Sequence, residues 1–132
     1  MSSAYHSMHL MKKIKLYIVD DNEALCEALF FLLSSVYKDA LELKIFHHPI
    51  QLLQQYSPEW DGCLIVDMNI PSMNGLELVQ EIKRNSCKLK ILMMSGCAKE
   101  NIINSQLNNE IDEFIEKPFK TDLFLEKITN LI

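Results

Sequence analysis

The chain has 132 residues, a net charge of −5, 48% hydrophobic residues and 23% charged residues, which fits one globular domain around a single core. No dense run of Lys or Arg offsets the negative field, so nucleic-acid binding by this chain itself is not expected, and no apolar run is long enough to span a bilayer. Cys26, Cys63, Cys87 and Cys97 include no C-x-x-C pair and read as free thiols of a reducing, cytoplasmic compartment rather than a disulfide scaffold.

Residues 1–13 scatter Ser, His and Met with no continuous apolar segment. They predict a loosely ordered N-terminal extension rather than a signal peptide, with the organised domain over residues 14–132. Leu16-Tyr17-Ile18-Val19 is a short apolar run, a first strand ending at Asp20. Glu23 to Tyr37 carries Leu25, Leu29, Leu32 and Leu33 on one helical stripe. Leu43 to Phe46 predicts a second strand, and Ile50 to Tyr56 a helix entered through Pro49, where a missing N–H costs nothing.

Cys63-Leu64-Ile65-Val66 is a third strand, apolar throughout and ending at Asp67. A loop through Pro71 to Gly75 leads into a helix from Leu76 to Arg84. Ile91 to Met94 is a fourth strand ending at Ser95. Asn101 to Asn109 predicts a weak helix, since its Asn residues compete for backbone hydrogen bonds. Phe114-Ile115 lies on a fifth strand running into Lys117-Pro118, and Thr121 is expected to cap a last helix reaching Leu131.

Five strands thus alternate with five helices. The central strands are apolar on both faces, as parallel strands covered by helices must be. With right-handed crossovers the pattern predicts an α/β, doubly wound parallel sheet.

In such sheets the site lies beyond the carboxyl ends of the strands. Here those ends carry Asp20 and Asp21, Asp67, Ser95 and Lys117. Clustered carboxylates need a counter-ion, and an oxygen donor set without His or Cys suits Mg²⁺. A carboxylate can also attack phosphorus to form an aspartyl-phosphate. Asp67, ending a central strand and facing a loop, is the best nucleophile. Lys117 and Mg²⁺ would neutralise charge on a transferring phosphoryl group, and Ser95 could hydrogen-bond it afterwards. Asp20-Asp21 would equally suit a helix N-terminus, a role compatible with metal binding. His47 and His48, adjacent on an extended segment, point to opposite faces and do not form a metal pair.

The pieces Val19-Asp20-Asp21, Ile65-Val66-Asp67-Met68-Asn69-Ile70-Pro71, Met73-Asn74-Gly75-Leu76-Glu77, Met94-Ser95-Gly96 and Phe114-Ile115-Glu116-Lys117-Pro118-Phe119, in that order and spacing, resemble the receiver domain of two-component response regulators. The resemblance covers roughly residues 14–132. It implies a flavodoxin-like fold with strand order 2-1-3-4-5 and phosphorylation of Asp67. It further implies direct Mg²⁺ binding by Asp21, a largely water-mediated role for Asp20, and a backbone carbonyl ligand from Asn69. Lys117 would contact the phosphoryl group, with a cis bond to Pro118. Ser95 and Phe114 would form the coupled switch pair, and Asn69 and Cys97 would tune phosphate lifetime.

The last piece is similar to the subfamily that often carries a helix-turn-helix output domain. The implied partners are a sensor histidine kinase or phosphotransfer protein, a downstream protein target or output domain, and a second copy in a homodimer. The implied role is a signalling module with intrinsic phosphotransfer and slow autodephosphorylation, not a metabolic enzyme. The sequence has Glu110-Ile111 where the family usually has a small Gly-Ala pair.

A phosphorylation-independent interaction module of the same fold is the alternative. An aspartate-nucleophile phosphatase would need an acid two residues after Asp67, where Asn69 stands. A flavin- or nucleotide-binding protein of the same architecture ranks last, since no G-x-G-x-x-G or Walker-type loop follows any strand.

Overall fold

The computed structural model describes residues 12–96 and 109–132. Its elements follow the predicted order: β1 (Ile14–Val19), α1 (Glu23–Tyr37), a short 3-10 turn (Lys38–Ala40), β2 (Leu41–Phe46), α2 (Pro49–Gln55), β3 (Asp61–Asp67), α3 (Gly75–Lys83), β4 (Lys88–Ser95), β5 (Glu113–Glu116) and α4 (Thr121–Leu131). All but Asn109 of the helix expected over 101–109 lies outside the described residues, as does Cys97.

The five strands form one sheet in the order β2-β1-β3-β4-β5, and every neighbouring pair is parallel. This is the doubly wound 2-1-3-4-5 arrangement. Side chains alternate across it, as the period of two requires. Tyr17, Val19, Leu64, Val66, Ile91 and Met93 face α2 and α3, meeting Leu52, Leu78, Val79 and Ile82. Leu16, Ile18, Cys63, Ile65, Leu92 and Met94 face α1 and α4, meeting Cys26, Leu29, Leu33, Phe124 and Ile128. Burial on both faces explains why these strands read as unbroken apolar runs.

Strands extend further toward their N-terminal ends than the apolar runs suggest. β4 begins at Lys88 rather than Ile91, and β3 at Asp61 rather than Cys63. Lys88 and Lys90 are exposed on either side of buried Leu89, and Asp61 is exposed, so hydrophobicity alone does not mark these starts. Gly62 takes φ +109° there, and a Cβ on it would collide with the Lys15 carbonyl oxygen; only glycine fits.

Two helix starts are fixed by asparagine. The Asn22 side chain accepts from the Leu25 amide at 3.0 Å, and that of Asn74 from the Glu77 amide at 2.8 Å, each satisfying a donor the helix leaves unpaired. The expected cap at Thr121 is corrected. Thr121 is the first helical residue, and Lys120 is the N-cap, with extended backbone and no side-chain cap bond. The Lys120 carbonyl accepts the first helical bond, from the Phe124 amide at 3.1 Å, which moves the helix start by one residue.

Candidate functional site

The parallel register delivers the polar residues to one edge. Val19 pairs with Val66, Asp67 with Met94 and Ser95 with Glu116. Asp20, Asp67, Ser95 and Lys117 therefore emerge side by side from four adjacent strands. The ladder continues into the loops: the amides of Asp20, Met68 and Lys117 donate to the carbonyls of Phe46, Met94 and Ser95 at 3.0, 2.8 and 2.7 Å.

Carboxylate oxygens of Asp20, Asp21 and Asp67 lie within 4.8 Å of one another. Asp20 is fully buried and Asp67 is 5% exposed, whereas Asp21 is exposed. The Lys117 ammonium lies 2.8 Å from Asp20 Oδ2 and 3.5 Å from Asp67 Oδ1. Asp20 Oδ1 accepts from the Asn22 amide at 2.9 Å, and Asp67 Oδ1 from the Asn69 amide at 3.2 Å. Burial raises the Asp67 carboxyl above its ordinary value, and the Asp20 charge acts in the same direction. The Asn69 amide and Lys117 act against them.

One ammonium facing three carboxylates leaves the cluster short of positive charge. The all-oxygen donor set, open on the Asp21 side, fits a hard divalent cation that keeps part of its water shell. The triad is thus arranged like the Mg²⁺ site of receiver domains.

The other expected site residues fall around this cluster. Ser95 is buried at the end of β4. Phe114 pairs with Met93, so it lies two rungs below Ser95 on the same face of the sheet. Its ring packs, half buried, against the cluster containing Ile111. Asn69 is exposed, and its side-chain amide would be 3.9 Å from a Cβ on Gly96. The Lys117–Pro118 peptide is cis.

Two contacts have no local sequence signal. The Cys26 thiol donates to the Asp20 carbonyl at 3.4 Å, and His47 Nδ1 lies 3.1 Å from the same oxygen. Burial, and then the Asp20 charge, push the Cys26 thiol up to about 11, so it stays protonated and able to donate. His47 thus touches the Asp20 main chain rather than joining His48.

The family described as response regulator receiver domain matches residues 16–129. The transcriptional regulatory protein FixJ of Bradyrhizobium diazoefficiens is 26% identical over 117 residues, covering 89% of this chain and 56% of its own. The solved structure of the response regulator StyR superposes with a TM-score of 0.79 at 28% identity, over 90% of this chain and 59% of that one. The receiver domain of a sensor histidine kinase from Pseudomonas aeruginosa, solved with magnesium coordinated in its active-site cleft, shares the fold at TM-score 0.75 and 16% identity. That match covers 90% of this chain and 97% of that one. The chain spans about half the length of the curated relatives it matches.

Proposed function

This chain belongs to the response regulator receiver family, and from that premise we propose that Asp67 accepts a phosphoryl group from the phosphohistidine of a sensor kinase or phosphotransfer protein. The observation that carries the assignment is the carboxylate triad beside Lys117 at the carboxyl edge of the sheet. Asp67 is the nucleophile because it is the acid nearest the centre of the sheet. The Asn69 amide orients one of its oxygens, and the other is left to attack phosphorus. The donor's P–N bond breaks, and its electron pair leaves with the imidazole.

Bound between Asp20, Asp21, Asp67 and the Asn69 carbonyl, Mg²⁺ would neutralise both the carboxylates and the phosphoryl oxygens. Lys117 already spans Asp20 and Asp67, so a small movement of its ammonium brings positive charge to the new phosphate. The Ser95 hydroxyl is the donor available on the neighbouring strand. Its movement toward the phosphate would vacate space on the face it shares with Phe114, whose ring then turns inward. That rearrangement alters the surface around β5 and α4, the proposed docking face for a target, an output domain or a second copy.

Intact mass after incubation with acetyl phosphate tests the reading. A gain of one phosphoryl group that requires Mg²⁺ and vanishes in Asp67→Ala is expected. An unchanged gain in that variant would refute Asp67 as the acceptor.

A further inference from the structure

The edge of the sheet opposite Asp67 has its own chemistry. Lys12, Lys13, Lys15, Lys88 and Lys90 line one groove of about 450 Å³ at the N-terminal ends of β1, β3 and β4. The register gathers them: Lys88 stands across from Asp61 and Lys90 from Cys63, while Leu16, next to Lys15, pairs with the same Cys63. Five of the chain's thirteen basic residues therefore meet at one place on a protein of net charge −5.

Their charge is incompletely answered. Lys15 pairs with Asp61 at 3.2 Å, and Lys88 approaches Glu59 only to 3.9 Å. Lys13 donates at 2.9 Å to the Asp39 backbone carbonyl, which carries no net charge. Among the described residues Lys12 and Lys90 have no ion pair. Like charges crowded in a concave site focus a positive potential. Ile14 and Leu131 add apolar walls between the ammonium groups, and the volume is in the range that takes a small ligand.

We propose that this groove binds a nucleoside polyphosphate, its phosphates against the lysines and its base against Ile14 and Leu131. Lysine serves phosphate as a mobile point charge, which suits a flexible chain of phosphates. Compact negative charge joined to a flat apolar body matches both parts of the lining. The groove lies at the opposite edge from the carboxylate triad, so both sites can be filled together.

Calorimetric titration of the full chain with ATP, in EDTA so that no metal bridges ATP to the carboxylates, is the test. Amide NMR shifts locate the ligand. The expected result is one site, with shifts at Lys15, Gly62 and Leu131 and none at Asp67. Lys88→Gln with Lys90→Gln should weaken binding by about tenfold or more, as loss of two charge-assisted contacts implies. The equal charge change Lys120→Glu, at the exposed start of α4 and about 16 Å along that helix from Leu131, should leave affinity within about twofold, since exposed charges beyond a Debye length are largely screened. Asp67→Asn should bind as wild type does, which separates this site from the phosphoacceptor. No binding at millimolar ATP, equal weakening in the lysine double variant and in Lys120→Glu, or shifts confined to the Asp67 edge would each overturn the proposal.

Discussion

A Cβ placed on Gly75 would lie 2.5 Å from the backbone oxygen of Asp67 and 2.9 Å from the Cα of Met68. The Gly75 amide also donates to the Met68 carbonyl at 2.9 Å. The first residue of α3 is thus pressed against the backbone that carries Asp67, the proposed phosphoacceptor. Gly75→Ala forces that backbone to move, because overpacking a filled site displaces its neighbours. The expected loss is about 1–3 kcal/mol of stability, read by urea denaturation. Phosphoryl uptake from acetyl phosphate should slow in the fraction that remains folded. A variant with wild-type stability and uptake would show that the loop yields without consequence.

Removing Lys117 should be costly in the absence of metal. Asp20 is fully buried, and Lys117 is the cation beside it. Lys117→Ala leaves that carboxylate without its counter-charge, an expected cost of about 3 kcal/mol. Added Mg²⁺ should recover more stability in this variant than in wild type, because both cations answer the same carboxylates. Thermal melts with EDTA and with Mg²⁺ measure this directly, and equal Mg²⁺ responses in the two proteins would contradict it.

Mg²⁺ should stabilise the wild-type fold by linkage, by about 2.7 kcal/mol at a concentration one hundred times its dissociation constant. The gain should shrink sharply in Asp21→Asn, whose exposed carboxylate closes the cluster. Denaturant midpoints across a Mg²⁺ series provide the check. An undiminished gain in that variant would remove Asp21 from the ligand set.

Asp67 gives the site a defined pH dependence. Its folded-state pKa is raised above the ordinary 3.8, chiefly by burial. The folded state therefore holds the proton more tightly than the unfolded chain. The stability this contributes is full below the ordinary value and is lost as pH rises through the folded pKa. Without Mg²⁺ at neutral pH, Asp67→Asn should melt above wild type. The difference should narrow on acidification toward the ordinary value. Melting curves from pH 7 downward read both, and a variant that melts lower at neutral pH would reverse the sign.

Phe124 anchors the core on the side of the sheet covered by α1 and α4. Its ring is fully buried and stacks on Phe119 at 5.1 Å between centroids. Phe124→Ala should cost about 3–5 kcal/mol through lost burial and the cavity left behind, as read by urea denaturation.

The sequence by itself determined the order of the described elements, the parallel two-sided sheet and which polar residues stand at the carboxyl ends of its strands. Each central strand is apolar on both faces and stops abruptly at a polar residue, so Asp20, Asp67 and Ser95 were legible as strand ends. Strand starts were less legible, because Lys88, Lys90 and Asp61 sit on strands that face water at that end and carry no continuous apolar signal. The helix entry at Lys120 escaped notice because no side chain caps it.

Only the tertiary structure decided what depends on register between distant segments. Lys117 meets Asp20 across 97 residues of sequence, and Cys26 of α1 and His47 just after β2 converge on the Asp20 carbonyl. The closeness of Gly75 to Asp67, and the gathering of five lysines in one groove, follow from how α3 and the strands pack. A residue's own pattern records whether it is buried. It does not record which neighbour, brought in by another strand, will share its space or its charge.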